Sequence, residues 1–111
     1  MKKTRMRKFL EQRALTSQCI SYRDLAANLG VTQAPVIATV TALLEILMAE
    51  DVANDRPVLS ALVVQKGGNS LPRPGFFEKL ASLNVVDLND SSFDKSVWHA
   101  NELNKLKMYY Q

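Results

Sequence analysis

ISYRDLAANLGV, residues Ile20 to Val31, is the stretch on which the fold turns. Leu25, Ala26 and Leu29 share one face of a short helix spanning Arg23 to Leu29. Ser21 is placed to cap its start. Asp24 stands three residues on, a capping-box arrangement with Asp in place of Glu. Gly30 supplies the C-terminal stop, because only a residue without Cβ enters the left-handed conformation freely. The piece from Cys19 to Tyr22 is too short for a helix and reads as a brief extended segment.

Upstream, Thr4 to Ser17 suits a helix, with Met6, Leu10 and either Arg13 or Ala14 at helical spacing and Phe9 widening the apolar face. Downstream, Val36, Val40, Leu43, Leu44 and Leu47 form one wide stripe, the mark of a long third helix. Thr32 can cap it, Pro35 falls in its first turn, and Glu50, Asp51, Asn54 and Asp55 mark its fraying end. A Pro57-led strand follows near Val58 to Gln65, with Ala61 to Lys66 reading as buried. Gly67-Gly68-Asn69 makes a turn and Leu71 to Gly75 a rigid segment. Gly75 is expected to bend the chain so that Phe76 and Phe77 fold back over the strand. A short helix from Phe76 to Leu83, an acidic loop from Asp87 to Ser92, and a final helix from about Phe93 to Tyr110 complete the chain. In that last helix Phe93, Val97, Ala100, Leu103, Leu106 and Tyr110 recur at helical steps. No internal repeat interrupts this order.

Composition bounds what such a chain can be. Its 111 residues fit one domain, and 47% hydrophobic with 23% charged residues describes a folded chain rather than a disordered one. The apolar runs are short and broken, so no transmembrane helix is expected. The start, MKKTRMRKFLEQR, lacks the continuous apolar core of a secretory signal. A single cysteine, Cys19, cannot form an internal disulfide. Together these fit a reducing, cytoplasmic setting. The net charge of +3 conceals an asymmetry. Residues 1–23 carry seven basic side chains against Glu11 alone, whereas residues 24–111 carry seven basic and ten acidic. The positive excess sits at the front, where it can hold phosphates or simply solubilise the chain.

Three helices, then a strand and a turn, with an extended piece before the second helix, is the order of a winged-helix domain. The segment ISYRDLAANLGV resembles the helix-turn-helix entry of many bacterial regulators. It is also similar to the winged-helix portion of the DNA alkyltransferases, where a Ser-Tyr start leads through a Leu-Ala pair to a glycine turn. In those enzymes a proline-led strand carries the reactive cysteine, then His, Arg and two valines. Here the comparable place reads Leu59-Ser60-Ala61-Leu62-Val63-Val64, so only the valines match and Ser60 stands at the cysteine. Alkyl transfer is therefore not implied. Nor does Gln33 to Val40 contain the arginine that takes the place of a flipped base. A second resemblance, on Arg56 to Lys66 and Pro74 to Glu78, is to short bacterial proteins of unassigned function, several with a tryptophan-bearing last helix as Trp98 marks here. It suggests a family and no activity.

The resemblance to a winged helix places Thr32 and Gln33 near base edges, Lys66 and Arg73 on the wing, and a basic arm over residues 1–8 on phosphates. The candidate nucleic-acid contacts are Lys2, Lys3, Arg5, Arg7, Lys8, Arg13, Arg23, Thr32, Gln33, Lys66 and Arg73. Against this, Asp24 to Asp55 contains no Lys or Arg, so the recognition helix offers phosphate no cation. The arm and wing would supply most affinity, with weak sequence selection. Catalysis has little support. His99 is the only histidine and lies far in sequence from Cys19 and Ser60. One Cys and one His make no metal cluster, and Asp87, Asp90 and Asp94 read as loop and cap residues. Gly67-Gly68 lacks the lysine and helix start of a phosphate loop.

The expected protein is thus a mainly α domain with a small β element, α+β and winged-helix-like, with an added C-terminal helix. Its expected role is non-catalytic DNA binding, regulatory or accessory, without cofactor, metal or membrane. The alternative is a protein-interaction module, with a homodimer as one form of it, without DNA binding. It would use the uncharged surface at Ile37 and Thr41, or Trp98, Met108, Tyr109 and Tyr110, not all of which can face one core.

Overall fold

The computed structural model describes residues 2–67 and 70–111. Helix α1 spans Lys2–Ala14, strand β1 Ile20–Ser21, α2 Tyr22–Leu29 and α3 Val36–Ala53. A 3-10 turn at Leu59–Leu62 runs into strand β2 at Val63–Val64, followed by α4 at Pro74–Ser82 and α5 at Lys95–Tyr109. The protein is mainly helical with one small sheet. β1 and β2 pair in parallel, Ile20 opposite Val63 and Ser21 opposite Val64.

The local signals around α2 act as read. Ser21 Oγ accepts the Asp24 N–H at 3.1 Å, and Gly30 takes φ 67° as the C-terminal cap. On α1 the inward residues are Met6, Leu10 and Ala14, so Ala14 rather than Arg13 completes the face. On α3, Val40, Leu44, Leu47 and Met48 are buried while Val36 and Leu43 pack at the edge. α3 starts later than expected: Pro35 is its cap residue, and Thr32 lies outside the helix in the preceding loop. Residues 2–8 are not a free arm. They form the first turns of α1.

The stretch after α3 departs most from expectation. Leu59 to Leu62 is a tight turn, fully buried, and the strand is only Val63 and Val64. Helices α1, α3 and α5 all pack on this turn. A buried turn has no ladder to satisfy its backbone groups, and such groups are costly unpaired. Side chains of the surrounding helices pair them here. Asp51 Oδ2 accepts from Leu59 N–H at 3.1 Å, Glu102 Oε2 from Val58 N–H at 2.8 Å, and His99 Nε2 lies 2.7 Å from the Ala61 carbonyl oxygen. A carbonyl only accepts, so Nε2 carries the proton in that bond. Asp51 is therefore not part of a fraying helix end; it is 0% exposed.

The same demand turns α5. His99, Glu102 and Leu106 face inward, whereas Val97 is 56% exposed and Ala100 is also outside. Phe93, Leu103, Leu106 and Tyr110 of the expected stripe do pack on the core, and Val97 and Ala100 do not, because two inward positions carry hydrogen-bonding groups instead. Phe76 and Phe77 do pack inward, in edge contact at 5.0 Å, with Phe77 also 6.1 Å from Trp98. Gly75 is not a bend; it lies in the first turn of α4, with no positive φ, and Pro74 opens that helix. After β2 the chain turns at Gly67, φ 79°, while the expected Gly68 and Asn69 fall outside the described residues. Asp87 to Ser92 is a loop, Asp90 Oδ1 accepting from Ser92, and Asp94 caps α5 through the Val97 N–H. The radius of gyration, 13.2 Å, is that of one compact domain of this length.

Candidate functional site

The eleven candidate contacts separate into groups with different tasks. Lys3 and Arg7 are engaged within the fold. Lys3 Nζ pairs with Glu50, and Arg7 bonds Glu50 Oε1 at 2.9 Å and Asp51 Oδ1 at 2.8 Å. Arg56 Nε adds a third cation at 3.2 Å from Asp51 Oδ1. Burial opposes the Arg7 charge, but its bonds to Asp51 and Glu50 outweigh that and raise its pKa. Hydrogen bonds from Lys3, then Arg7, hold the Glu50 carboxyl below its ordinary range. Arg13 is also occupied. Its guanidinium donates to the carbonyls of Gln18 and Cys19 and lies 5.5 Å from the Phe9 ring, fixing the passage from α1 to β1. Cys19 beside it has its thiol pKa raised by burial, partly offset by Arg13.

Lys2, Arg5 and Lys8 point outward from α1 and form no ion pair among the described residues. Arg23, Lys66 and Arg73 are likewise exposed and without an ion pair among the described residues. These last three belong to one region. Because β1 and β2 run parallel with Ser21 opposite Val64, both strands leave the sheet at the same end, one toward Arg23 and the other toward Lys66. Arg73 joins them through Tyr22. Its backbone N–H donates to Tyr22 Oη at 3.0 Å and its guanidinium lies 5.8 Å from the Tyr22 ring centre. Burial raises the Tyr22 pKa against the lowering effect of that Arg73 bond. Thr32 and Gln33 are exposed in the loop between α2 and α3 rather than on the helix.

Beside Arg73 and Tyr22 opens a cavity of about 640 Å³. Its walls include Ile37, Thr41 and Glu45 of α3 and the Arg73–Phe76 start of α4, with buried Ser60 also lining it. The uncharged surface at Ile37 and Thr41 is thus the wall of a concavity. Thr41 Oγ1 and Ser60 Oγ are buried and make no hydrogen bond among the described residues. A buried hydroxyl without a partner costs roughly 1–3 kcal/mol. Sequence reasoning noticed Ser60 only as the position of a missing cysteine; its lack of a partner depends on packing that spacing does not reveal. His99, the histidine weighed as a base, is bonded to the Ala61 carbonyl instead.

Elsewhere, no three ligating side chains gather for a metal among the described residues, and no helix there is long and apolar enough to cross a membrane. On α5, Val97, Met108 and Tyr109 are exposed, while Trp98 and Tyr110 are partly covered. Compared with protein families, curated proteins and solved structures, the chain matches none.

Proposed function

We propose that the protein is a non-catalytic DNA-binding domain of winged-helix-like organisation, regulatory or accessory in role. The observation that supports this reading is the gathering of Arg23, Lys66 and Arg73, from three separate segments, at one end of the sheet with no acidic partner in an ion pair among the described residues. Unpaired cations on one surface bind phosphates by releasing counterions. Lys2, Arg5 and Lys8 on α1 add to the positive field, while Lys3, Arg7 and Arg13 serve the fold. Thr32 and Gln33, exposed in the loop beyond the other end of α2, are the polar side chains offered to base edges, and the segment from Asp24 to Asp55, devoid of Lys and Arg, fits weak sequence selection.

The test is fluorescence anisotropy with a labelled random-sequence duplex between 50 and 200 mM salt, on the order of the range over which such contacts weaken. The triple variant Arg23→Ala, Lys66→Ala, Arg73→Ala is expected to flatten the salt slope by roughly 2–3. The variant Lys2→Ala, Arg5→Ala, Lys8→Ala is expected to change it less. Absence of binding at low salt would overturn the reading.

A second reading, a protein-interaction module, is favoured by α5. Met108 is 74% and Tyr109 53% exposed, with Val97 on the same helix. An apolar contact made there would persist in salt, and concentration-dependent sedimentation of the protein alone would reveal a homodimer.

A further inference from the structure

The cavity between α3 and the start of α4 carries hydrogen-bonding groups that the fold does not use. Ser60 is 2% exposed, yet its Oγ has no partner among the described residues, and the same holds for Thr41 Oγ1 across the cavity lining. Alanine and valine would fill these places without a stranded hydroxyl. At the lip, α4 begins without a side-chain cap, and its first residues, Pro74 to Phe76, line the same space. Arg73 adds a full positive charge beside it, and Glu45 lines the cavity from α3; neither is in an ion pair among the described residues. The remaining lining is apolar and partly aromatic, with Tyr22, Ile37 and Phe76.

We propose that this cavity binds a small flat molecule with an apolar body and an amide edge. The amide carbonyl accepts from Ser60 and Thr41, whose buried hydroxyls turn into the cavity by rotation about χ1, and the amide N–H donates to Glu45. A carboxylate would satisfy the first set and gain from Arg73, but it would meet repulsion from Glu45 and offer that side chain no donor. A plain hydrocarbon would leave both hydroxyls stranded. The apolar body lies against Tyr22 and Phe76, as in pockets where a few polar groups orient a mostly apolar ligand. This site stands on different side chains from the phosphate contacts, apart from Arg73, and does not require that DNA be bound.

Benzamide, benzoate and toluene are the probes, titrated into isotopically labelled full-length protein and followed by amide chemical shifts. Benzamide is expected to produce saturable shifts at Thr41, Ser60, Gly75 and Phe76 with a Kd of roughly 1 mM. Benzoate and toluene should bind at least about 5-fold more weakly, since each lacks one half of the match. Ser60→Ala and Thr41→Val should each weaken benzamide by roughly 3- to 10-fold, while leaving the melting temperature unchanged or higher. The absence of saturable shifts at these residues would overturn the proposal, as would benzoate or toluene binding as tightly as benzamide. It would equally fail if both hydroxyl variants kept full benzamide affinity, or if both lowered the melting temperature, which would make the hydroxyls structural.

Discussion

Asp51 shows how far one side chain's role can lie from its sequence context. In a row of acidic and amide residues ending a helix it reads as solvated, but it is 0% exposed and bonded to Leu59 N–H, Arg7 and Arg56. Breaking one side of a buried pair leaves the other uncompensated, so Asp51→Ala is expected to lose about 3–5 kcal/mol in denaturant unfolding. Asp51→Asn, which can still accept from Leu59, should lose less. Equal losses would show that charge, not the acceptor, is what the turn requires. Lys3 and Arg7 follow the same lesson. Their acidic partners lie more than 40 residues away, so a run of cations that looked free is partly committed. Ser21 and Gly30, in contrast, were legible because their partners are within a few residues.

At the scale of elements, α1, α2 and α3 were readable because an apolar face on a helix repeats locally. The 3-10 turn was not. LSALVV is a short apolar run, and periodicity does not separate a buried strand from a buried turn. What makes the turn stable is supplied by Asp51, His99 and Glu102, two of which come from 38 and 44 residues further on. α5 was placed correctly in the chain, and Phe93, Leu103, Leu106 and Tyr110 pack on the core as read, but Val97 and Ala100 lie outside while His99 and Glu102 face in, because stripe reasoning assumes that inward means apolar. The two helix-associated glycines give a test at this scale. Gly30, at φ 67°, should lose about 1–2 kcal/mol as Gly30→Ala. Gly75, where an added Cβ would meet nothing within 4 Å, should gain about 0.4–1 kcal/mol as Gly75→Ala. Thermal melts of the two variants in opposite directions would bear out the assignment of cap and helix.

Taken as a whole molecule, charge is divided between holding the fold and facing outward. Lys3, Arg7 and Arg56 bind α1 and the chain after α3 to the Glu50–Asp51 pair, while Lys2, Arg5, Lys8, Arg23, Lys66 and Arg73 remain on the surface. Glu50 gives this a pH signature. Its folded pKa is depressed by bonds from Lys3 and Arg7, so its contribution is complete above the unfolded value of about 4.3 and is lost as pH falls through the folded value. Melts from pH 6 down to about 3 should therefore fall further for the wild type than for Glu50→Gln, by an amount that shrinks in salt because the pair is partly exposed. Parallel curves would remove Glu50 from the acid response. The surface cations were legible in composition, but the cavity was not: it is assembled from α2, α3, Ser60 and α4, and no one of those segments carries its signature.

The buried turn at Leu59–Leu62 also sets an order of events. Two of the three side chains that pair its backbone stand on α5, so while a growing chain is shorter than about the first hundred residues, Val58 N–H and the Ala61 carbonyl have no such partners. The last helix is in this sense a keystone. Without α5 the turn loses two of its three side-chain partners, which ties the cost of burying its backbone to the C-terminal helix.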